Sequence, residues 1–179
     1  MILLIAGGTH LGKTNFAQKL LEKYHYSYLS IDHLKMGLIR AGYTNLRPED
    51  SEEVLTGYLW PVVREIIKTC IENEQNLIVE GCYIPFDWKK DFTGEYAGRI
   101  RYLCLIFSER YIRMHYEDIR RWAGVIEDRG EDGDLTMETL LEDTRKNLES
   151  CREFGCAYYL IDGQYDLDAD SWDFCGQDA

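Results

Sequence analysis

Apolar and polar positions fall into short continuous runs separated by stretches of helical period. Residues 1–6 (MILLIA) are unbroken apolar and end on Gly7-Gly8, the pattern of a strand buried on both faces of a parallel sheet. From 12 to 24 the apolar positions Phe16, Ala17, Leu20, Leu21 and Tyr24 recur every three or four residues, which predicts a helix after that strand. A second strand is expected over 26–31 and a short helix over 33–41, closed by Gly42. Residues 45–76 read as a long helical region whose core stripe is Val62, Val63, Ile66, Ile67, Cys70 and Ile71, with a kink or break expected before Pro61. A third strand is expected over 77–80, irregular structure over 82–98, and a fourth strand over 100–107. Then come a helix over 109–122 and a polar loop over 124–134. A further helix, capped by Asp134 or Thr136, runs to 154, and a fifth strand covers 157–161. Beyond Asp162 there is no Lys or Arg, which predicts a solvated, frayed acidic tail over 163–179.

Strands alternating with helices argue for a three-layer α/β domain with right-handed crossovers, in which ligands sit beyond the carboxyl ends of the strands. At 179 residues the chain is expected to form one domain. Its 20 Lys and Arg against 32 Asp and Glu leave a net charge of −12, which disfavours nucleic acid and anionic membranes as partners. No run of 18 apolar residues occurs, and the six cysteines form no C-x-x-C pair, so a protein of the reducing cytoplasm is expected. Four scattered histidines, including His10 and His33, have no zinc-like spacing. Nothing in the pattern fixes an oligomeric state.

The chemistry concentrates in Gly7-Gly8-Thr9-His10-Leu11-Gly12-Lys13-Thr14, which matches G-x-x-x-x-G-K-[ST] between a predicted buried strand and a predicted helix. Glycines let successive amides turn toward a phosphate, the helix start adds its dipole, Lys13 bridges phosphate oxygens and Thr14 offers a hydroxyl to Mg2+. Asp32, after the second strand, is a candidate base for an acceptor hydroxyl, or else the N-cap of the helix at His33. Glu80, after the third strand, is a candidate for Mg2+-bound water or a substrate hydroxyl, or else a solvated strand end. Lys35 and Arg40 can bind an anionic acceptor, although solvated surface is the preferred reading. Tyr83, Phe86 and Trp88 can wall a pocket or simply pack.

In this ordered series the chain resembles the P-loop nucleoside and nucleotide kinases, a group that includes adenylate, shikimate and gluconate kinases. The resemblance rests on the P-loop at 7–14, Ser30-Ile31-Asp32, Glu80-Gly81, an arginine-bearing segment near 120–129, and Ile161-Asp162-Gly163. It implies a five-stranded parallel sheet ordered 2-3-1-4-5 with helices on both faces, and MgATP held by residues 7–14 with help from Arg120, Arg121 and Gly163. It also implies an acceptor region over about 33–76 and a helical lid over about 120–136, from which Arg121 and Arg129 neutralise the moving phosphoryl group. The chain departs from adenylate kinase in having Glu80-Gly81-Cys82-Tyr83-Ile84-Pro85-Phe86, without the arginine that would clamp AMP. It is closer to kinases of small metabolites, such as chloramphenicol phosphotransferase and the 2-phosphoglycerate kinase-like group. The implied activity is transfer of the ATP γ-phosphate to a small-molecule or nucleotide acceptor. A nucleotide-dependent switch without an acceptor is the alternative, and a polynucleotide 5′-kinase is a weaker one because the charge is wrong.

Overall fold

In the computed structural model, which describes residues 1–123, 135–165 and 167–172, five parallel strands form one sheet in the order β2-β3-β1-β4-β5. These are β1 (Ile2–Gly7), β2 (Ser27–Ser30), β3 (Leu77–Glu80), β4 (Ile100–Phe107) and β5 (Tyr158–Ile161). The helices are α1 (Lys13–Tyr24), α2 (Ile31–Arg40), α3 (Glu52–Glu72), α4 (Gly94–Ala97), α5 (Glu109–Ala123) and α6 (Met137–Glu153). β1 is central and buried along its whole length, as its unbroken apolar run requires. The chain order reverses across β1, which opens a crevice at its carboxyl end between β3 and β4.

Period-two alternation sorts the strand side chains into two layers. Leu3, Ile5, Ile78, Leu103, Leu105 and Phe107 pack with Phe16, Ala17 and Leu20 of α1 and Ile112 of α5. Ile2, Leu4, Val79, Cys104 and Ile106 pack on the other side with Leu55, Leu59, Val63 and Ile67 of α3. Leu59 is 1 % exposed, so Leu59→Ala is expected to cost about 3 kcal/mol in a denaturant melt, the transfer loss plus the cavity left behind.

Three expectations about α3 are corrected. α3 runs unbroken through Pro61. Pro61 and Gly57, whose carbonyl loses its partner, both lie on the exposed face, so water can take that oxygen. The same exposed face carries Val62, which therefore leaves the core stripe, while Trp60 enters it. The helix begins at Glu52, because the Ser51 hydroxyl accepts from the Val54 amide and caps it there. The segment 82–98 is irregular as expected apart from a 3-10 turn at Trp88–Asp91 and the four-residue α4, and it packs into the core through Tyr83, Ile84, Trp88 and Phe92.

The acidic tail is also not simply solvated. Through Trp172 it docks on α1: Leu167 and Ala169 are buried, Lys19 Nζ donates to the Leu167 carbonyl at 3.1 Å and Lys23 Nζ to that of Ala169 at 2.7 Å. Those lysines supply the positive charge that the segment lacks. No helix of the described residues is long and apolar enough to cross a membrane. The described cysteines form no disulfide.

Candidate phosphoryl-transfer site

The site begins where β1 turns into α1. Gly7 has φ +133°, and a Cβ there would stand 2.4 Å from the Leu105 carbonyl oxygen of β4, so only glycine lets the loop leave the sheet at this point. Gly12 occupies the N-cap position of α1 at φ +71° and brings no side-chain acceptor, and the first turn contains no acid. Neither an N-cap side chain nor a first-turn acid serves the opening amides of this twelve-residue helix, the kind of helix start that suits an anion.

Lys13 is buried inside this loop. Its Nζ donates to the Gly8 carbonyl at 2.6 Å and contacts Cys82 Sγ at 3.4 Å. Desolvation pulls its pKa down, yet the combined attraction of Cys82, Glu80 and Asp32 exceeds that effect and holds it above the ordinary lysine value. The ammonium is thus charged at neutral pH.

Glu80 ends β3 at 1 % exposure, so it is not a solvated strand end. Its Oε1 accepts from the Tyr28 hydroxyl at 2.8 Å and lies 3.4 Å from Thr14 Oγ1. Sheet register sets Ser30 directly beside it, and the buried Ser30 hydroxyl has no hydrogen-bond partner among the described residues. The Glu80 carboxylate and the Thr14 hydroxyl, 3.4 Å apart, are oxygen donors of the kind that Mg2+ and its waters take.

Asp32 lies in the first turn of α2. The helix starts at Ile31 with Ser30 at the N-cap position, so the capping role expected for Asp32 is not the one it takes. Lys35 Nζ donates to its Oδ1 at 2.7 Å and to the Tyr83 hydroxyl at 2.8 Å. Lys35 is buried, contrary to the surface reading. Burial lowers its pKa, but Asp32 and Tyr83 more than offset that and raise it, while burial lifts the Tyr83 phenol.

The sequence-derived positions therefore divide. Lys13, Thr14, Asp32, Lys35, Glu80 and Tyr83 are linked to the P-loop by the bonds and charge interactions above. Thr9, His10 and Leu11 complete the loop, with Leu11 buried and His10 at φ +62°. Arg40 is exposed in the last turn of α2. Arg120 and Arg121 are exposed near the end of α5, where Glu117 Oε2 lies 3.7 Å from Arg120 Nη1. Arg129, with most of the expected lid, lies outside the described residues. Trp88 is core, stacked on Tyr102, whereas Phe86 lines the cleft.

Several site residues carried no motif. Cys82 follows Glu80-Gly81 and faces Lys13, which only the strand-end rule would have suggested. Tyr165, two residues past the exposed Gly163, covers the loop: its hydroxyl donates to the Leu11 carbonyl at 3.1 Å and its phenol pKa is pushed up to about 12 by burial. A Cβ on Gly12 would stand 1.9 Å from that hydroxyl oxygen and 3.1 Å from the ring carbon bearing it. Gly12→Ala is accordingly expected to weaken ATP binding more than about tenfold with the circular dichroism melt retained, and Tyr165→Phe should restore part of the loss.

No family model matches the chain, and no curated protein matches it in sequence. Solved structures do. A candidate kinase from Chloroflexus aurantiacus J-10-fl superposes with a TM-score of 0.56 at 15% identity, covering 94% of this chain and 93% of that one. A gluconokinase from Sinorhizobium meliloti 1021 gives 0.51 at 15% identity, over 93% and 83%. A shikimate kinase from Bacteroides thetaiotaomicron gives 0.52 at 15% identity, over 94% and 88%. The chain has the fold of P-loop small-molecule kinases.

Proposed function

We propose that the protein is an ATP-dependent kinase that phosphorylates a hydroxyl of a small molecule. The observation that carries this reading is the buried Lys13 ammonium, held at the mouth of an uncapped helix within the electrostatic reach of Glu80 and Asp32. Gly8 to Thr14 and the first-turn amides of α1 are the groups that would hold the triphosphate, and Thr14 and Glu80 would hold Mg2+ through oxygen or water. Bound MgATP supplies the phosphoryl group and an ADP leaving group.

The residues then have separable tasks. Lys13 exchanges its bond to the Gly8 carbonyl for phosphate oxygens and stabilises the charge that grows on them. Asp32 accepts the acceptor's hydroxyl proton as the new O–P bond forms and the bond from phosphorus to the ADP oxygen breaks. Lys35 and Tyr83 fix the Asp32 carboxylate in place, so Lys35 is a positioning residue and does not stand ready for a separate anion. Arg120, Arg121 and Arg129 remain the cations proposed to neutralise the transferring group, and Gly163 leads into the segment that places Tyr165 over the loop. The −12 net charge keeps nucleic acid outside the proposal.

The test is ADP release from MgATP with and without pooled hydroxyl-bearing metabolites. A kinase releases ADP faster when a pool contains the acceptor; hydrolysis at one rate across every pool would instead indicate a switch that needs no acceptor.

A further inference from the structure

Beyond β5 the chain runs back along α1 and is tied to it. Lys19 Nζ and Lys23 Nζ hold the Leu167 and Ala169 carbonyls, and the Trp172 carbonyl accepts from Lys23 Nζ at 2.9 Å and from the Tyr24 hydroxyl at 2.8 Å. The Trp172 ring meets Phe16 and Tyr159 edge-on, with centroids 6.0 and 5.1 Å away. The segment is thereby fixed to the helix whose first turn carries Lys13 and Thr14, and its Tyr165 is set over the loop that opens that helix.

Tyr165 keeps 39 % of its surface exposed and meets the loop at its hydroxyl end, which donates to the Leu11 carbonyl at 3.1 Å. The Leu11–Gly12 peptide is trans, so its carbonyl and its N–H point in opposite directions. With the carbonyl fixed toward Tyr165, the Gly12 N–H faces away from the tail. That N–H donates to no acceptor among the described residues. In the same loop the Lys13 ammonium reaches back to the Gly8 carbonyl at 2.6 Å. An unpaired amide beside a buried ammonium, in a turn of successive N–H groups, attracts an anionic oxygen.

We propose that Tyr165 is a positioning residue of the nucleotide site: by holding the Leu11 carbonyl, its hydroxyl keeps the Gly12 N–H turned toward a phosphate oxygen of the bound nucleotide. This rests on the reading of residues 7–14 as a triphosphate site and adds the C-terminal segment to the machinery that shapes it. Burial pushes the phenol pKa up to about 12, so the group stays a donor across the physiological range.

The test is titration calorimetry of MgATP against the full chain as wild type, Tyr165→Phe and Tyr165→Leu, with the Gly12 amide followed by nitrogen-15 NMR. Loss of one neutral hydrogen bond is expected to weaken ATP about three- to tenfold in Tyr165→Phe, with the thermal melt retained. The Gly12 resonance should already be moved in that variant before ATP is added, and Tyr165→Leu should weaken binding little further. In a Gly12→Ala background Tyr165→Phe acts in the opposite direction, because there it relieves the clash with the added Cβ. Wild-type ATP affinity in Tyr165→Phe, an unmoved Gly12 resonance, or a loss confined to Tyr165→Leu overturns the assignment while the nucleotide reading stands. Absence of ATP binding by the wild type overturns both.

Discussion

Lys13→Ala is expected to lower acceptor-dependent turnover by roughly a thousandfold, the scale seen when a preorganised donor to developing charge is removed from a water-poor site. The loss should appear in both ATP affinity and kcat, because the ammonium faces the loop that would hold the phosphates in the ground state and in the transition state. A second consequence follows from burial. Glu80 is 1 % exposed and interacts electrostatically with Lys13, so the variant leaves a buried carboxylate without that cation and should melt earlier. The wild-type pKa of Lys13 is raised above the ordinary value of 10.5, so its contribution to stability is complete at neutral pH and disappears only as pH climbs through the folded-state value. Lys13→Met should therefore narrow its stability gap from the wild type at strongly alkaline pH, which a series of chemical melts would register.

Asp32→Asn is expected to reduce phosphoryl transfer by about a hundredfold to ten-thousandfold while ATP still binds, since proton acceptance is lost and the P-loop's own groups are kept. Undiminished transfer would remove Asp32 from the role of base. The substitution also strips Lys35 of its counter-ion at 2.7 Å, in a pair whose side chains are 11% and 13% exposed, which costs on the order of 3 kcal/mol. The two effects separate through Lys35→Met in the same background: it removes the orphaned cation and should return much of the stability, but none of the catalysis. A purely structural Asp32 would regain both.

The sheet was legible because continuous burial and period-two alternation leave a direct trace: MILLIA and the run ending at Phe107 had to be interior strands once glycines and helical periods bounded them. The P-loop was legible because its geometry excludes most residue types, most clearly at Gly7 and Gly12. Pro61 misled because its effect depends on which face it occupies, and the face toward water tolerates a missing amide. Lys35 misled because a lysine reads as surface until a carboxylate and a phenol from distant positions are seen around it. Tyr165 was invisible for a related reason: it gains its place from tertiary packing of the tail over the loop, an event with no local pattern.

The central claim is that the loop from Gly7 to Thr14 holds a nucleoside triphosphate through its amides and Lys13. Titration calorimetry of the purified full chain with ATP in the presence of Mg2+ tests it most directly. The account predicts saturable binding at one site per chain, lost or weakened at least about tenfold in Lys13→Ala. Absence of heat and of competition for every nucleoside triphosphate tried, from a chain that melts cooperatively, would contradict it.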